Sequence, residues 1–251
     1  MKDLHLRICH LYPELMNLYG DRGNVIALYR RCKWRGIEVT VDAVSIGESF
    51  GPHDYDIIFV GGGQDRQQEL VWKDLQDRRE ILSEAAENDV VMLAVCGGYQ
   101  LFGRYYWTCS GEIPGIGIFD VHTVAGDTRI IGNTVITSHY LEGEGEISTL
   151  VGFENHAGRT YLANGTEPLG QVLMGGGNDG ESKTEGCVYR NCFGTYLHGS
   201  LLPKNPHLAD LLLSRAISRQ CEDAELEPLD DNVEWAAHRA ALSRSGIKRL
   251  A

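Results

Sequence analysis

VVMLAVCGGYQLFG, residues Val90–Gly103, decides how this chain is read. The apolar run from Val90 to Val95 has the length of a buried strand and stops at Cys96. Two glycines follow, and a helix-compatible segment begins at Tyr99. A strand, a nucleophile on a tight small-residue turn and then a helix make a nucleophile elbow, here with Cys in the reactive position. Ala94 and Gly98 lie two residues to either side of Cys96, where bulk would clash in so sharp a bend. A helix N-terminus behind the turn favours the thiolate, which is the nucleophilic form. The plainer alternative is a small hydrophobe closing a core strand. The glycine turn after Cys96 favours the reactive reading.

The segments upstream fit that elbow into a sheet. Leu4–His10 alternates and then turns apolar, as a first strand does. Leu15–Asn24 (LMNLYGDRGN) reads as a loop and N-cap, with Gly20 and Gly23 around Asp21 and Arg22. A helix over Val25–Arg35 has apolar positions at Val25, Leu28, Tyr29 and Cys32 and ends at Gly36. Glu38–Ala43 is a second strand. Tyr55–Val60 is a third, nearly all apolar, as a strand covered on both faces is. It runs into Gly61–Gly63, Gln64 and Asp65, and a helix over about 67–87 leads to the Cys96 strand. This alternation predicts an α/β fold with a doubly wound, mostly parallel sheet and helices on both faces.

Downstream of Phe102 the pattern changes. Gly115–Thr123, Arg129–His139, Glu146–Phe153, Gln171–Met174 and Gly186–Leu197 read as short strands that extend the sheet in antiparallel fashion. Asn205–Arg219 is a helix, Glu222–Asp231 an acidic linker and Val233–Arg244 a last amphipathic helix. Residues 1–220 are therefore expected to form one domain. Residues 221–251 supply a linker and a helix that packs on that domain or on a partner.

Composition narrows the function classes. The net charge is −12 and no Lys/Arg run stands out, which argues against a nucleic-acid or membrane electrostatic footprint. The seven cysteines, Cys9, Cys32, Cys96, Cys109, Cys187, Cys192 and Cys221, are odd in number and scattered, as reduced cytoplasmic thiols are. The N-terminus is too polar for a signal peptide, and no apolar run reaches the ~18 residues of a membrane span. A membrane-bound substrate would be met from solution.

Gly61–Gly63, at the carboxyl end of a buried strand, can turn backbone N–H groups toward an oxyanion. His198 closes the apolar run Phe193–Leu197 in TYLHGSLLP, beside Gly199, and suits the base that a Cys nucleophile needs. His156, in FENHAGRT, is the second candidate. His5, His53, His122, His139, His207 and His238 read as surface or turn residues. Cys187 and Cys192 match no zinc spacing and read as hairpin residues, so no metal site is predicted. Gly175–Gly180 (GGGNDG) reads as a hairpin loop, since no helix follows it.

Together these residues resemble the class I glutamine amidotransferases: a glycine-rich loop, a Cys elbow with Gln four residues on (Cys96–Gln100), and a strand-terminal His about a hundred residues later. More narrowly, LYPELMNLYGDRGN, VGGGQD, AVCGGYQLFG, GFENHAGRT and YLHGSLLPKNP resemble the CobB/CobQ-like subgroup. Within it they resemble the glutaminase subunits of lipid II isoglutaminyl synthases. The resemblance implies that Cys96 attacks the carboxamide of L-glutamine and that His198 shuttles the proton. It implies an oxyanion hole of N–H groups at Gly62 and Gly97, substrate contacts from Gln64 and Gln100, and a carboxylate-binding role for Arg129, otherwise a solvated turn residue. It implies no cofactor in this subunit. ATP and Mg belong to a MurT-like Mur ligase subunit that forms a heterodimer with it and amidates the D-glutamate α-carboxylate of the lipid II stem peptide at the inner face of the membrane. Most members of the class place Glu two residues after the His, where this chain has Ser200. A partner carboxylate, or a bare Cys–His dyad, is then expected. A cobyrinate-type amidase subunit, a thiol peptidase or DJ-1-like protein, and a non-catalytic binding subunit are the competing readings.

Overall fold

In the computed structural model the described residues are 4–108, 111–141, 145–198, 200–221 and 224–246, so Cys109, Gly199 and Glu222 lie outside them. The chain begins with β1 (His5–Leu11), α1 (Arg22–Trp34), β2 (Glu38–Val44) and β3 (Ile57–Val60). Next come α2 (Asp65–Asp77), α3 (Arg79–Glu87), β4 (Val91–Val95) and α4 (Gly97–Phe102). Strands β5 (Tyr105–Thr108), β6 (Gly111–Pro114), β7 (Val121–Thr137), β8 (Thr149–Leu162), β9 (Gly170–Met174) and β10 (Thr184–Glu185) follow. The chain continues through β11 (Cys187–Tyr189), β12 (Cys192–Thr195), α5 (Pro206–Ser218) and α6 (Asn232–Arg244).

The first sheet has the order β11-β12-β4-β3-β1-β2 and is parallel except at β11, so it is the doubly wound sheet the sequence predicts. Every residue of β3 and β4 is buried. Each fully buried Val, Leu or Ile stabilises the fold by about 1.5–3 kcal/mol, which makes this pair of strands the rigid centre of the sheet.

The antiparallel strands do more than extend that sheet. Only the hairpin β11–β12 joins it, whereas β10-β9-β7-β5-β6 form a second sheet with β8 also paired to β7. The long β7–β8 ribbon carries a register shift between Ala125 and Ile130. The two sheets meet at a bridge between Phe153 and His198.

Other boundaries differ from expectation for local reasons. The helix expected over 67–87 is two helices split at Arg78, whose guanidinium bonds Asp74 and the Ser45 carbonyl. Helix α4 starts at Gly97 and not at Tyr99, because Cys96 itself is the N-cap residue. His238 is not a surface residue: it is buried, with Nε2 against Thr149 Oγ1 (2.9 Å) and Nδ1 donating to the Lys204 carbonyl (2.8 Å). His207, half-buried, stacks on Trp235, so α6 rests on β8 and the start of α5. The acidic stretch before α6 is pinned by two arginines, one in α1 and one at its C-cap. Arg31 bonds Asp231, and Arg35 bonds the Glu227 carbonyl.

Candidate active site

In a doubly wound sheet, ligands bind outside the carboxyl ends of the strands, where the strand order reverses. Here the chain runs from β1 out to β2 and returns to the other side of β1 as β3. The segments leaving β1, β3, β4 and β12 therefore converge at one edge. They carry Asp21, Gly61–Gly63, Cys96 and His198.

Cys96 takes φ +51° and ψ −103°, a backbone conformation that costs of order 1–3 kcal/mol for a residue with a Cβ. The cost is borne because the turn is held from both sides: Cys96 N–H donates to the Thr195 carbonyl (2.8 Å) and Gly98 N–H to the Gly61 carbonyl (3.1 Å). His198 is held by its own backbone, which exchanges hydrogen bonds with Phe153 of β8. A Cβ on Gly62 would lie 2.7 Å from His198 Cε1 and 3.4 Å from Cys96 Cβ. Only a glycine at 62 lets imidazole and thiol share that spot.

His198 is fully buried. Its Nδ1 is 3.3 Å from Asp21 Oδ1, and its Nε2 has no hydrogen-bond partner among the described residues. Burial opposes charge on the ring, but Cys96 and the Asp21 carboxylate outweigh it and raise the His198 pKa to about 10. The edge of the Tyr19 ring packs on the imidazole, with centroids 5.1 Å apart.

Asp21 is the residue beside His198 that sequence patterns do not single out. It stands at the N-cap position of α1, as expected, but its side chain makes no cap hydrogen bond. The carboxylate turns inward, and Oδ2 accepts the Gly62 N–H at 2.7 Å. The Gly62 N–H, expected in the oxyanion hole, is thus occupied. The neighbouring N–H groups of Gly63 and Gly97 have no partner among the described residues, and a Cβ on Gly97 would lie 2.8 Å from the Gly63 nitrogen.

Cys96 opens into a cavity of about 280 Å³ whose walls include Gly63, Gln64, Gln100, Arg129 and Asn155. Gln64, Gln100 and Arg129 therefore do converge on the thiol, across more than sixty residues of sequence. Arg129 is held at the rim, donating to Asn155 Oδ1 (2.8 Å) and to the Asn155 carbonyl (3.0 Å). Gln100 is engaged at both ends: Nε2 donates to Tyr196 Oη (3.1 Å), and Oε1 accepts from Gln68 Nε2 (3.0 Å). Its amide shapes the wall, whereas the exposed Gln64 is the amide facing open space.

His156 lines the same cavity but belongs to a different arrangement. Its ring stacks on Tyr196 at 3.6 Å, Nδ1 donates to the Gly158 carbonyl (2.8 Å), and Nε2 lies 3.9 Å from Glu154 Oε2. Burial would raise the Glu154 pKa, but His156 and the N–H groups of Gly176 and Gly177 hold it below the ordinary value. The GGGNDG loop thus binds an internal carboxylate. Cys187 and Cys192 are buried in the β11–β12 hairpin, where burial pushes the Cys187 thiol up to about 12. Among the described residues no group of His, Cys, Asp and Glu is arranged to hold a metal ion, and no helix is long and apolar enough to cross a membrane.

A Cys–His pair over a substrate-sized cavity, on strand ends of a doubly wound sheet, is the arrangement of a glutamine amidotransferase. The chain belongs to the CobB/CobQ-like glutamine amidotransferase domain family, whose description it matches over residues 7–206. It is 42% identical to the "Lipid II isoglutaminyl synthase (glutamine-hydrolyzing) subunit GatD" of Staphylococcus aureus, over 97% of this chain and 98% of that one. It is also 42% identical to the protein of the same description from Streptococcus pneumoniae, over 90% of this chain and 86% of that one. Its fold is similar to the crystal structure of a glutamine amidotransferase from Thermotoga maritima, with a TM-score of 0.55, 15% identity and 96% of both chains covered.

Proposed function

We propose that this chain is the glutamine-hydrolysing subunit of a lipid II isoglutaminyl synthase. The observation that carries the reading is the meeting of Cys96 and His198 beside Gly62, over the cavity that Arg129 rims. The Arg129 guanidinium matches the α-carboxylate of glutamine and places its carboxamide at the sulfur. Cys96 passes its proton to His198 and attacks the carboxamide carbon, and the N–H groups of Gly97 and Gly63 receive the oxyanion. His198 gives its proton to the departing nitrogen, which leaves as ammonia, and a glutamyl thioester remains. Water then attacks the thioester while His198 takes up its proton, and glutamate and the free thiol are released.

The ammonia passes to a Mur ligase-like partner that activates the D-glutamate α-carboxylate of the lipid II stem peptide with ATP and Mg and forms D-isoglutamine. In this reading the pair acts in the cytoplasm at the inner face of the membrane, and the present chain carries no cofactor. Labelling with a diazoketone analogue of glutamine tests the chemistry: modification at Cys96 by peptide mass, and loss of glutamine-dependent ammonia release in Cys96→Ala, are expected. Ammonium salts should restore amidation by the Cys96→Ala complex. Undiminished glutamine use by Cys96→Ala would overturn the reading.

A further inference from the structure

We propose that Asp21 is the carboxylate that orients His198, supplied within this chain by the loop after β1, and that Ser200 is the latch that seats the loop. The inference rests on the glutaminase reading above and specifies how its imidazole is held.

Asp21 forgoes its local role. An Asp at an N-cap stabilises its helix through a bond to the first helical turn, and here that bond is absent. The carboxylate is instead fully buried, which is costly unless it is bonded and paired. Both conditions are met: Gly62 N–H serves Oδ2 and His198 Nδ1 faces Oδ1. A group on Nδ1 fixes the tautomer, so that Nε2 is left to exchange a proton with the sulfur. Asp21 is thus a positioning residue.

The loop is seated by contacts that make sense only if its position matters. Leu18 N–H donates to the Gly62 carbonyl (3.1 Å), on the residue whose own N–H binds Asp21. Tyr19 packs on the His198 ring and accepts from Asn155 Nδ2 (2.7 Å). Ser200 stands two residues after His198, where the class places its glutamate. Its Oγ donates to the Gly20 carbonyl (2.8 Å), and a Cβ on Gly23 would lie 2.2 Å from that oxygen. Ser200 (φ +52°) and Tyr19 (φ +53°) both sit in the left-handed region, so the latch is strained on both sides. Serine and glycine at 200 and 23 leave the loop room to bring its own carboxylate to the imidazole.

The test is glutaminase kinetics on the full chain, alone and with its synthetase partner. Asp21→Asn should lower kcat about 10²–10⁴-fold with KM within about threefold, and should move the alkaline limb of kcat/KM to lower pH. Asp21→Glu should recover part of the loss. Ser200→Ala, which leaves the buried groups in place, should shift the same limb more weakly, and serves as the readout should Asp21→Asn fail to fold. Asp21→Asn within about threefold of wild-type kcat, or a loss that partner binding restores, would overturn the proposal while the wild type still hydrolyses glutamine. A wild type that neither hydrolyses glutamine nor is labelled at Cys96 would instead sink the glutaminase reading, and this inference with it.

Discussion

The backbones of Phe153 and His198 exchange two hydrogen bonds, Phe153 N–H to the His198 carbonyl at 3.3 Å and His198 N–H to the Phe153 carbonyl at 2.8 Å. The second sheet thereby fixes the height of the imidazole above the first. Beside this bridge, a Cβ on Gly152 would lie 2.8 Å from Leu197 Cβ. Gly152→Val should push β8 off the His198 segment, cost about 1–3 kcal/mol of stability, and lower kcat for glutamine hydrolysis far more than it raises KM. Denaturant melts and steady-state kinetics check both effects. Unchanged kcat would show that β8 does not position the base.

The titration of His198 has a predictable sign. The folded chain holds this proton more tightly than the unfolded one, since its pKa is raised from 6.5 to about 10. Its stabilising contribution is complete below pH 6.5 and is lost as pH rises through about 10. Removing the sulfur with Cys96→Ala should move that loss to lower pH. Urea melts of wild type and variant across this interval provide the comparison, and superimposable profiles would contradict it.

Glu185 makes a second pH effect, on which the His198 charge also acts. It is fully buried, with Tyr196 N–H donating to Oε1 at 2.6 Å and Thr195 Oγ1 within 3.1 Å of both carboxyl oxygens. Burial dominates and raises its pKa from 4.5 to about 8. The folded state therefore binds more protons than the unfolded state in that window, and stability falls as pH rises through it. Glu185→Gln should flatten this slope, measured as the wild-type minus variant difference in unfolding free energy from pH 5 to 9.

Gln68 should contribute to substrate affinity. It is buried in the cavity wall, and its Nε2 donates to the Gly63 carbonyl and to Gln100 Oε1. Its Oε1 is left without a partner among the described residues. An ammonium or carboxamide N–H of glutamine would satisfy that oxygen. Gln68→Leu should raise KM for glutamine about tenfold with little change in kcat, and an unchanged KM would remove Gln68 from the binding site.

The arginine network at the back of the sheet should matter for stability. Arg31 is buried and bonds Asp210 at 2.7 Å and Asp231 at 2.6 Å. Arg31→Ala leaves Asp231 without its guanidinium, while Asp210 keeps Arg35 at 2.7 Å, and should destabilise the chain by about 3 kcal/mol. The midpoint of urea unfolding reads this directly.

Much of this molecule is legible one segment at a time. The apolar runs at 55–60 and 90–95, the helical spacing at 25–35 and 205–219, and the glycines after Cys96 are local patterns, set by side-chain period and turn chemistry over a few consecutive residues. They were enough to specify a doubly wound sheet, the elbow cysteine and a strand-terminal histidine. The separate second sheet was not legible, because antiparallel strands alternate alike whether they join one sheet or build another.

Asp21 shows most clearly what needed the tertiary structure. Its sequence context explains it completely as an N-cap, so nothing local announces a second use. It meets His198 across 177 residues because β1, β3, β4 and β12 lie in a particular order that brings their carboxyl ends together. Which residues could react was therefore written in the sequence, through residue type at the ends of strands. Which of them face one another, and which N–H and carboxylate are already engaged, was decided only when the sheet assembled, because hydrogen bonds at 3 Å depend on packing between segments far apart in the chain.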